Sequence, residues 1–343
     1  MSAMKNSNSI RSQCGMTLVE LLIAMVLGLV VLGAMSTLFI TNSQTRREID
    51  NVAQQLENGR YAIRLLRDEL QVAGFLGEFT SPSGVADLSP CDETLANWDD
   101  ALELAVTGSN NATAAAAFAC LGSLGAGIKS EGATGAIFVQ RASTQCGPCC
   151  ADEVDCTTPV GDFVGDLAYF QTALCQTDID GGTSFVLAQR GTANPGPFVL
   201  RNKSCASTAA GPTRIFLRKI FYVSENATLN VLTVRPGVEP SADNVEALVE
   251  GIEDIQFEFG VDTNGDGAPD EFRDAPSSAA EWANVMGVKV WILARAPETT
   301  RGYKDEKTYT LGAKTSGPFN DEYKRHVFST YIEFTTPAGR RGA

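Results

Sequence analysis

The strongest constraint on this chain is a run of twenty residues, Leu21 to Ile40, that carries no charge at all. As a helix, at about 1.5 Å per residue, it spans roughly 30 Å, the thickness of a bilayer's hydrocarbon core. A helix on the surface of a soluble domain keeps a polar face, and this one has none. Residues 1–15 ahead of it are polar, with Lys5 and Arg11 and no acidic residue. Those two charges predict an N-terminus inside and the rest of the chain outside. A secretory signal would have a shorter apolar core followed by a small-x-small cleavage site. Glu20, at the near edge of the run, needs a partner, because a carboxyl in the middle of a membrane helix costs about 2.5–3.5 kcal/mol, and less near the interface.

The string Gly15-Met16-Thr17-Leu18-Val19-Glu20-Leu21-Leu22-Ile23 resembles the processing motif of type IV prepilins: a short basic leader ending in Gly, then an apolar segment with Glu at its fifth position. Met16 departs from the family's usual Phe. The resemblance implies that prepilin peptidase cleaves between Gly15 and Met16 and methylates the new amine on Met16. It also implies that Glu20 pairs with the N-terminal amine of a neighbouring subunit. Such a pair, weakly screened among apolar helices, sets register rather than doing chemistry.

From Thr41 to about Phe75 there is no Pro. Ile49, Val52, Leu56, Ile63, Leu66, Leu70 and Ala73 recur three, four or seven apart, so the sequence predicts a helix with one apolar stripe, ended near Gly74 and Gly77. Beyond Gly77 the pattern changes. Thr107–Gly135 reads as loop with at most a short Ala helix. Alternating or β-branched runs predict strands at Ala136–Arg141, Ser184–Gln189, Arg214–Val223, Asn230–Val234, Ile252–Gly260, Val288–Ala294 and Val327–Thr335. The expected organisation is a leader over 1–15, a transmembrane segment over 16–40, an amphipathic helix over 41–77 and an exported head over 78–343. The head divides into a Cys-rich, loop-rich part (91–205) and a strand-rich part (206–343). The fold class is α+β and pilin-like: a long N-terminal helix packed on a mainly antiparallel sheet.

With 41 Asp and Glu against 27 Lys and Arg, the net charge is −14, which argues against direct nucleic-acid binding. His326 is the single His, which leaves no second imidazole for a His-based zinc site or relay, and the usual hydrolase constellations are not expected. Nothing calls for catalysis or a required cofactor. Cys14 lies in the leader, leaving Cys91, Cys120, Cys146, Cys149, Cys150, Cys156, Cys175 and Cys205. That even number suits disulfides in an oxidising compartment, with connectivity left open. Cys146-Gly147-Pro148-Cys149 spells a thioredoxin-type redox motif, yet Asp152, Glu153 and Asp155 follow it. Acidic neighbours raise a thiol pKa, so structural disulfides are favoured, and a four-Cys zinc site suits an oxidised head poorly.

Asp262, Asn264, Asp266 and Asp270 stand at positions 1, 3, 5 and 9 of an EF-hand-like loop, with Gly267 at position 6 and the Ala268 carbonyl at 7. Position 12 is Arg273, so Glu271 or Asp274 would have to substitute. The expectation is a structural calcium ion that rigidifies a hairpin loop, against a plain acidic turn.

Across its length the chain resembles the PilW family of minor pilins. The segments that carry this are Gly15–Ile23, Asn58-Gly59-Arg60-Tyr61-Ala62, Leu248-Val249-Glu250-Gly251-Ile252-Glu253-Asp254-Ile255-Gln256-Phe257 and Val288-Lys289-Val290-Trp291-Ile292-Leu293-Ala294-Arg295. The resemblance implies a non-enzymatic subunit that primes pilus assembly with other minor pilins and the major pilin through N-terminal helices. It implies residence in the bacterial inner membrane with the head periplasmic, then at the pilus tip, with twitching motility depending on it indirectly. A J-type minor pseudopilin of type II secretion is the alternative, though such proteins are usually shorter.

Overall fold

The computed structural model describes residues 17–82, 84–112, 118–124, 134–145, 166–189, 197–207 and 209–341. It divides into two compact units, Met1–Asn51 and Val52–Ala343, with the boundary inside the first helix, α1 (Leu18–Leu70).

In the first unit, the described part of the chain is helical from Leu18 onward. Four of its hydroxyls bond to carbonyls one turn back. Ser36 Oγ donates to Leu32 O at 2.8 Å, Thr37 Oγ1 to Ala34 O at 2.8 Å, and Thr41 and Thr45 to Thr37 O and Thr41 O at 2.9 Å each. A helix hydroxyl satisfied in this way adds no unpaired polar group to an apolar surface.

Among the described residues, the second unit has thirteen strands: β1 (Val106–Ala112), β2 (Thr134–Ala142), β3 (Ala168–Thr172), β4 (Phe185–Gln189), β5 (Thr213–Val223), β6 (Thr228–Val234), β7 (Val245–Glu250), β8 (Ile252–Val261), β9 (Glu271–Arg273), β10 (Val285–Arg295), β11 (Tyr309–Leu311), β12 (Lys314–Ser316) and β13 (Arg325–Glu333). Short helices α2 (Ala119–Ser123), α3 (Gln176–Asp180), α4 (Ala279–Ala283) and α5 (Thr335–Arg341) lie between or after them. Every named strand pairing is antiparallel. A seven-stranded sheet runs β1-β2-β5-β3-β4, with β6 also on β5 and β7 on β6. A four-stranded sheet runs β13-β10-β8-β9, and β11-β12 is a separate hairpin.

Alternation along the strands explains the layering, since successive side chains face opposite ways. Ile137 and Val139 of β2 and Phe221 and Val223 of β5 enter a core with Ala62, Leu66 and Leu70 of α1 and with Phe257, Val288, Val290 and Ile292 of the four-stranded sheet. The residues between them, Ala136 and Phe138 of β2 and Phe216 and Ile220 of β5, face a second core with Trp98, Leu102, Phe118, Leu121 and Phe170. The seven-stranded sheet is therefore covered on both faces.

All seven predicted strands are present, with no end moved by more than three residues. The reading of Thr107–Gly135 as loop with at most a short helix is corrected at its ends: β1 occupies Val106–Ala112 and β2 begins at Thr134, while α2 at Ala119–Ser123 is a short helix as allowed. The Ser, Asn and Gly of β1 have no strand signature. Its pairing with β2 and the hydrogen bonds of Asn110 to the Phe257 backbone, including Phe257 N to Asn110 Oδ1 at 2.8 Å, hold it in place. The predicted stripe is also rotated. Ile49 is 61% exposed, and the buried line is Gln55, Gly59, Ala62, Leu66 and Leu70. Gln55 Nε2 donates to Ala294 O at 2.8 Å and Lys324 O at 3.0 Å.

Candidate assembly interface

The first residues of α1 carry the surface most in need of explanation. From Leu18 to Ile40, sixteen large apolar side chains are exposed, each by at least 46%. Exposed apolar area on this scale marks a membrane or protein contact, and by length and composition the helix can cross a bilayer. Glu20 lies in the first turn of α1, where the helix dipole favours a negative charge. Its backbone N–H donates to Thr17 Oγ1 at 3.4 Å. Gly15 and Met16, the expected cleavage pair, lie outside the described residues.

Three charged centres of the head find partners within it. Glu69, near the end of α1, accepts from Lys219 at 2.7 Å and Arg141 at 2.9 Å. Burial alone would push its pKa up, but the two cations hold it below its ordinary value. Arg325 is fully buried at its side chain and pairs with Glu253, with Asp305 at 2.9 Å and with Asp321 at 2.6 Å. Burial would lower the pKa of this guanidinium, and its three carboxylate partners raise it instead. Tyr309 donates to Asp305 at 2.9 Å, closing the cluster. Arg218 stacks between Trp98 and Phe138 and donates to Asp92 O at 2.7 Å. These groups fix strands and loops to one another. His326 packs edge-on against Phe328, with ring centroids 4.7 Å apart.

The Arg325 cluster was missed by sequence reasoning. Its signal was present as Glu253 next to Ile252 and Ile255 in a strand rich in apolar residues, since buried charges need partners.

The Asp262–Asp270 loop joins β8 to β9, the hairpin position expected for it. Asp262 is buried, and its carboxylate accepts from the amides of Asn264 at 3.1 Å, Gly265 at 2.6 Å and Gly267 at 2.9 Å. Asn264 Oδ1 accepts from Asp266 N at 2.9 Å, and Asp266 Oδ1 from Ala268 N at 2.8 Å. Asp270 accepts from Thr263 N and Oγ1 at 2.8 Å each and from Asn264 Nδ2 at 2.9 Å. Glu271, a candidate for the missing position 12, is paired with Arg273, which also pairs with Glu281 at 2.8 Å. Among the described residues no group of three or more His, Cys, Asp and Glu converges to hold a metal ion.

The structure supplies connectivity that spacing left open: Cys91 pairs with Cys120 and Cys175 with Cys205. Their sequence separations are 29 and 30 residues, for which loop-closure entropy gives about 3–4 kcal/mol each. Cys146, Cys149, Cys150 and Cys156 lie outside the described residues.

Comparison with known proteins follows the same division of the chain. Residues 10–36 match the prokaryotic N-terminal methylation motif, and residues 220–335, from within β5 through β13, match the type IV pilus-assembly protein W family, PilW. No curated protein matches the chain. Among solved structures, a type IV-like pilin from Thermus thermophilus aligns with a TM-score of 0.34 and 11% identity, over 85% of this chain and 97% of that one. The chain is thus similar to the prokaryotic N-terminal methylation motif at the head of its apolar helix and to the PilW family across its C-terminal strands.

Proposed function

We propose that the chain is a minor pilin, a non-enzymatic subunit that helps prime type IV pilus assembly in a tip complex with other minor pilins. The observation that carries the reading is the exposed apolar stretch of α1 that follows Glu20 and carries no charge from Leu21 to Ile40. In this reading the span sits in the inner membrane with its N-terminus cytoplasmic and its head periplasmic. Prepilin peptidase cuts between Gly15 and Met16 and methylates Met16. Glu20 then pairs with the free amine of a neighbouring subunit, and a pair desolvated by apolar helices penalises any axial misregister. The fold family is structural, and the head's paired charges support a scaffold role.

The test is to shear surface pili from cells lacking the gene, complemented with wild type or Gly15→Ala, while assaying secreted proteins in parallel. Loss of pili restored only by the cleavable form is expected, with Gly15→Ala remaining about fifteen residues too heavy by mass, the length of the leader that sequence assigns. Normal pili with failed secretion would replace this reading with the J-type pseudopilin.

The oxygen spacing of the Asp262–Asp270 loop supports calcium as an optional stiffener, and the loop's own hydrogen bonds make the expected gain small. Calcium should raise the melting temperature of wild type and not of Asp266→Ala; equal responses would assign the loop to a plain turn.

A further inference from the structure

The two edges of the four-stranded sheet differ. β9 is only three residues long, Glu271–Arg273. β13 is nine residues long, pairs with β10 from Glu333 to Arg325 without a register shift, and contains no Pro and no Lys. Proteins normally guard an edge of this length with a charge, a bulge or a proline, because its free backbone groups invite another strand.

The orientation of those groups follows from the bonds at the two ends of the ladder. Ala296 N–H donates to Lys324 O at 2.8 Å, and Phe334 N–H to Met286 O at 2.8 Å. In an antiparallel ladder, bonded pairs alternate. His326, Phe328, Thr330 and Ile332 therefore bond to β10, while Val327, Ser329 and Tyr331 turn their N–H and C=O groups away from it. Arg295, out of phase with Ala296, donates to Gly251 O on the opposite side at 2.8 Å, as the alternation requires. Among the described residues, the outward groups of Val327, Ser329 and Tyr331 make no backbone hydrogen bond beyond the sheet, and only the Tyr331 carbonyl has a side-chain partner, accepting from Thr330 Oγ1 at 3.3 Å.

The surroundings of this edge specify a partner. On its helix side, Arg67 Nη2 donates to Thr330 Oγ1 at 2.6 Å. Arg60, seven residues earlier on the same flank of α1, is exposed, as is His326. On its other side Tyr331 is 42% exposed and touches Phe272 edge-on. Arginines beside an open edge, on a chain of net charge −14, favour an acidic strand.

From this geometry we infer that β13 is a docking edge that takes an extended, carboxylate-bearing segment of a neighbouring pilin-class subunit as an added strand. The inference rests on the assembly reading and deepens it. The edge runs beside the amphipathic part of α1, so helix and strand would meet the same neighbour. Main-chain bonds from Val327, Ser329 and Tyr331 give affinity, and Arg60 and Arg67 give charge selection.

The test uses the full chain in producing cells, with a photo-reactive phenylalanine analogue at Tyr331 and, as control, at the exposed Lys203. Irradiation should join position 331, and not 203, to an acidic peptide of another processed pilin-class subunit. Ser329→Pro removes one outward N–H without touching the β10 ladder and should cut the adduct about tenfold, whereas Ser329→Ala should keep it. Because Ser329 is exposed, Ser329→Glu is a second variant that leaves folding alone. It should also lose the adduct by like-charge repulsion, and Ser329→Lys should not. No adduct at 331, an adduct with a second copy of this chain, or an adduct unchanged in Ser329→Glu would overturn the inference. Glu20→Ala separates the two ideas. Pili lost with Glu20→Ala but undiminished with Ser329→Pro and Ser329→Glu would sink the docking edge alone, and pili undiminished with Glu20→Ala would sink the assembly reading itself.

Discussion

Two stretches of α1 share one continuous helix and handle apolar surface in opposite ways. From Leu18 to Ile40 nearly every side chain is apolar, and the large ones stay exposed. From Val52 to Leu70 apolar residues are fewer, yet Ala62, Leu66 and Leu70 are completely buried. Hydrophobicity by itself therefore does not decide what a chain covers with its own residues. A periodic stripe gives a single face that one sheet can cover, whereas a cylinder that is apolar all round calls for a surrounding medium or several neighbours.

The largest expected effect comes from cutting into the covered stretch. Leu66→Ala should destabilise the head by about 2–5 kcal/mol, while Leu29→Ala, in the uncovered stretch, should leave its melting transition within about 0.5 kcal/mol. Thermal unfolding of both variants in detergent decides it, and equal losses would erase the distinction.

Next in size is Gly59→Ala. In an ordinary helix this change gains up to about 1 kcal/mol. Here a Cβ at Gly59 would lie 2.1 Å from the Phe328 ring, so a loss of about 1–3 kcal/mol is expected from overpacking. A gain on denaturant titration would mean the ring moves aside freely.

The smallest effect should come from Glu69. Its folded pKa lies below 4.5, so its contribution is present above that pH and fades as pH falls through the folded value. Glu69→Gln should lower the melting temperature near neutral pH, and its gap from wild type should close below about 4.5. A gap independent of pH would assign Glu69 a packing role only.

How much of this was legible in the sequence depends on whether local pattern or distant contact decides each element. The apolar run, the helix beyond it and seven strands were legible because each imposes its own period. β1 was not, since Thr107, Gly108, Ser109 and Asn110 become a strand through β2 and through Asn110's bonds to Phe257. The centre of the buried helix face was not either. Gln55, Gly59 and Ala62 look neutral until Ala294 O, Lys324 O and the Phe328 ring stand opposite them. In the candidate interface, Glu20 was legible from position, and the outward register of β13 required the hydrogen bonds of Ala296 and Phe334. Two disulfide pairings likewise needed three dimensions.

The hydroxyls along the first stretch of α1 bear on how such a helix could change surroundings. Ser36, Thr37, Thr41 and Thr45 each bond to a carbonyl of their own helix. They ask nothing of a neighbour, so a lipid chain and the side of another helix meet the same outer surface. Under the proposed assembly role, extraction from a bilayer into a filament would proceed without breaking these hydrogen bonds, leaving Glu20 as the one polar group on Leu18–Leu32 whose side chain must find a new environment.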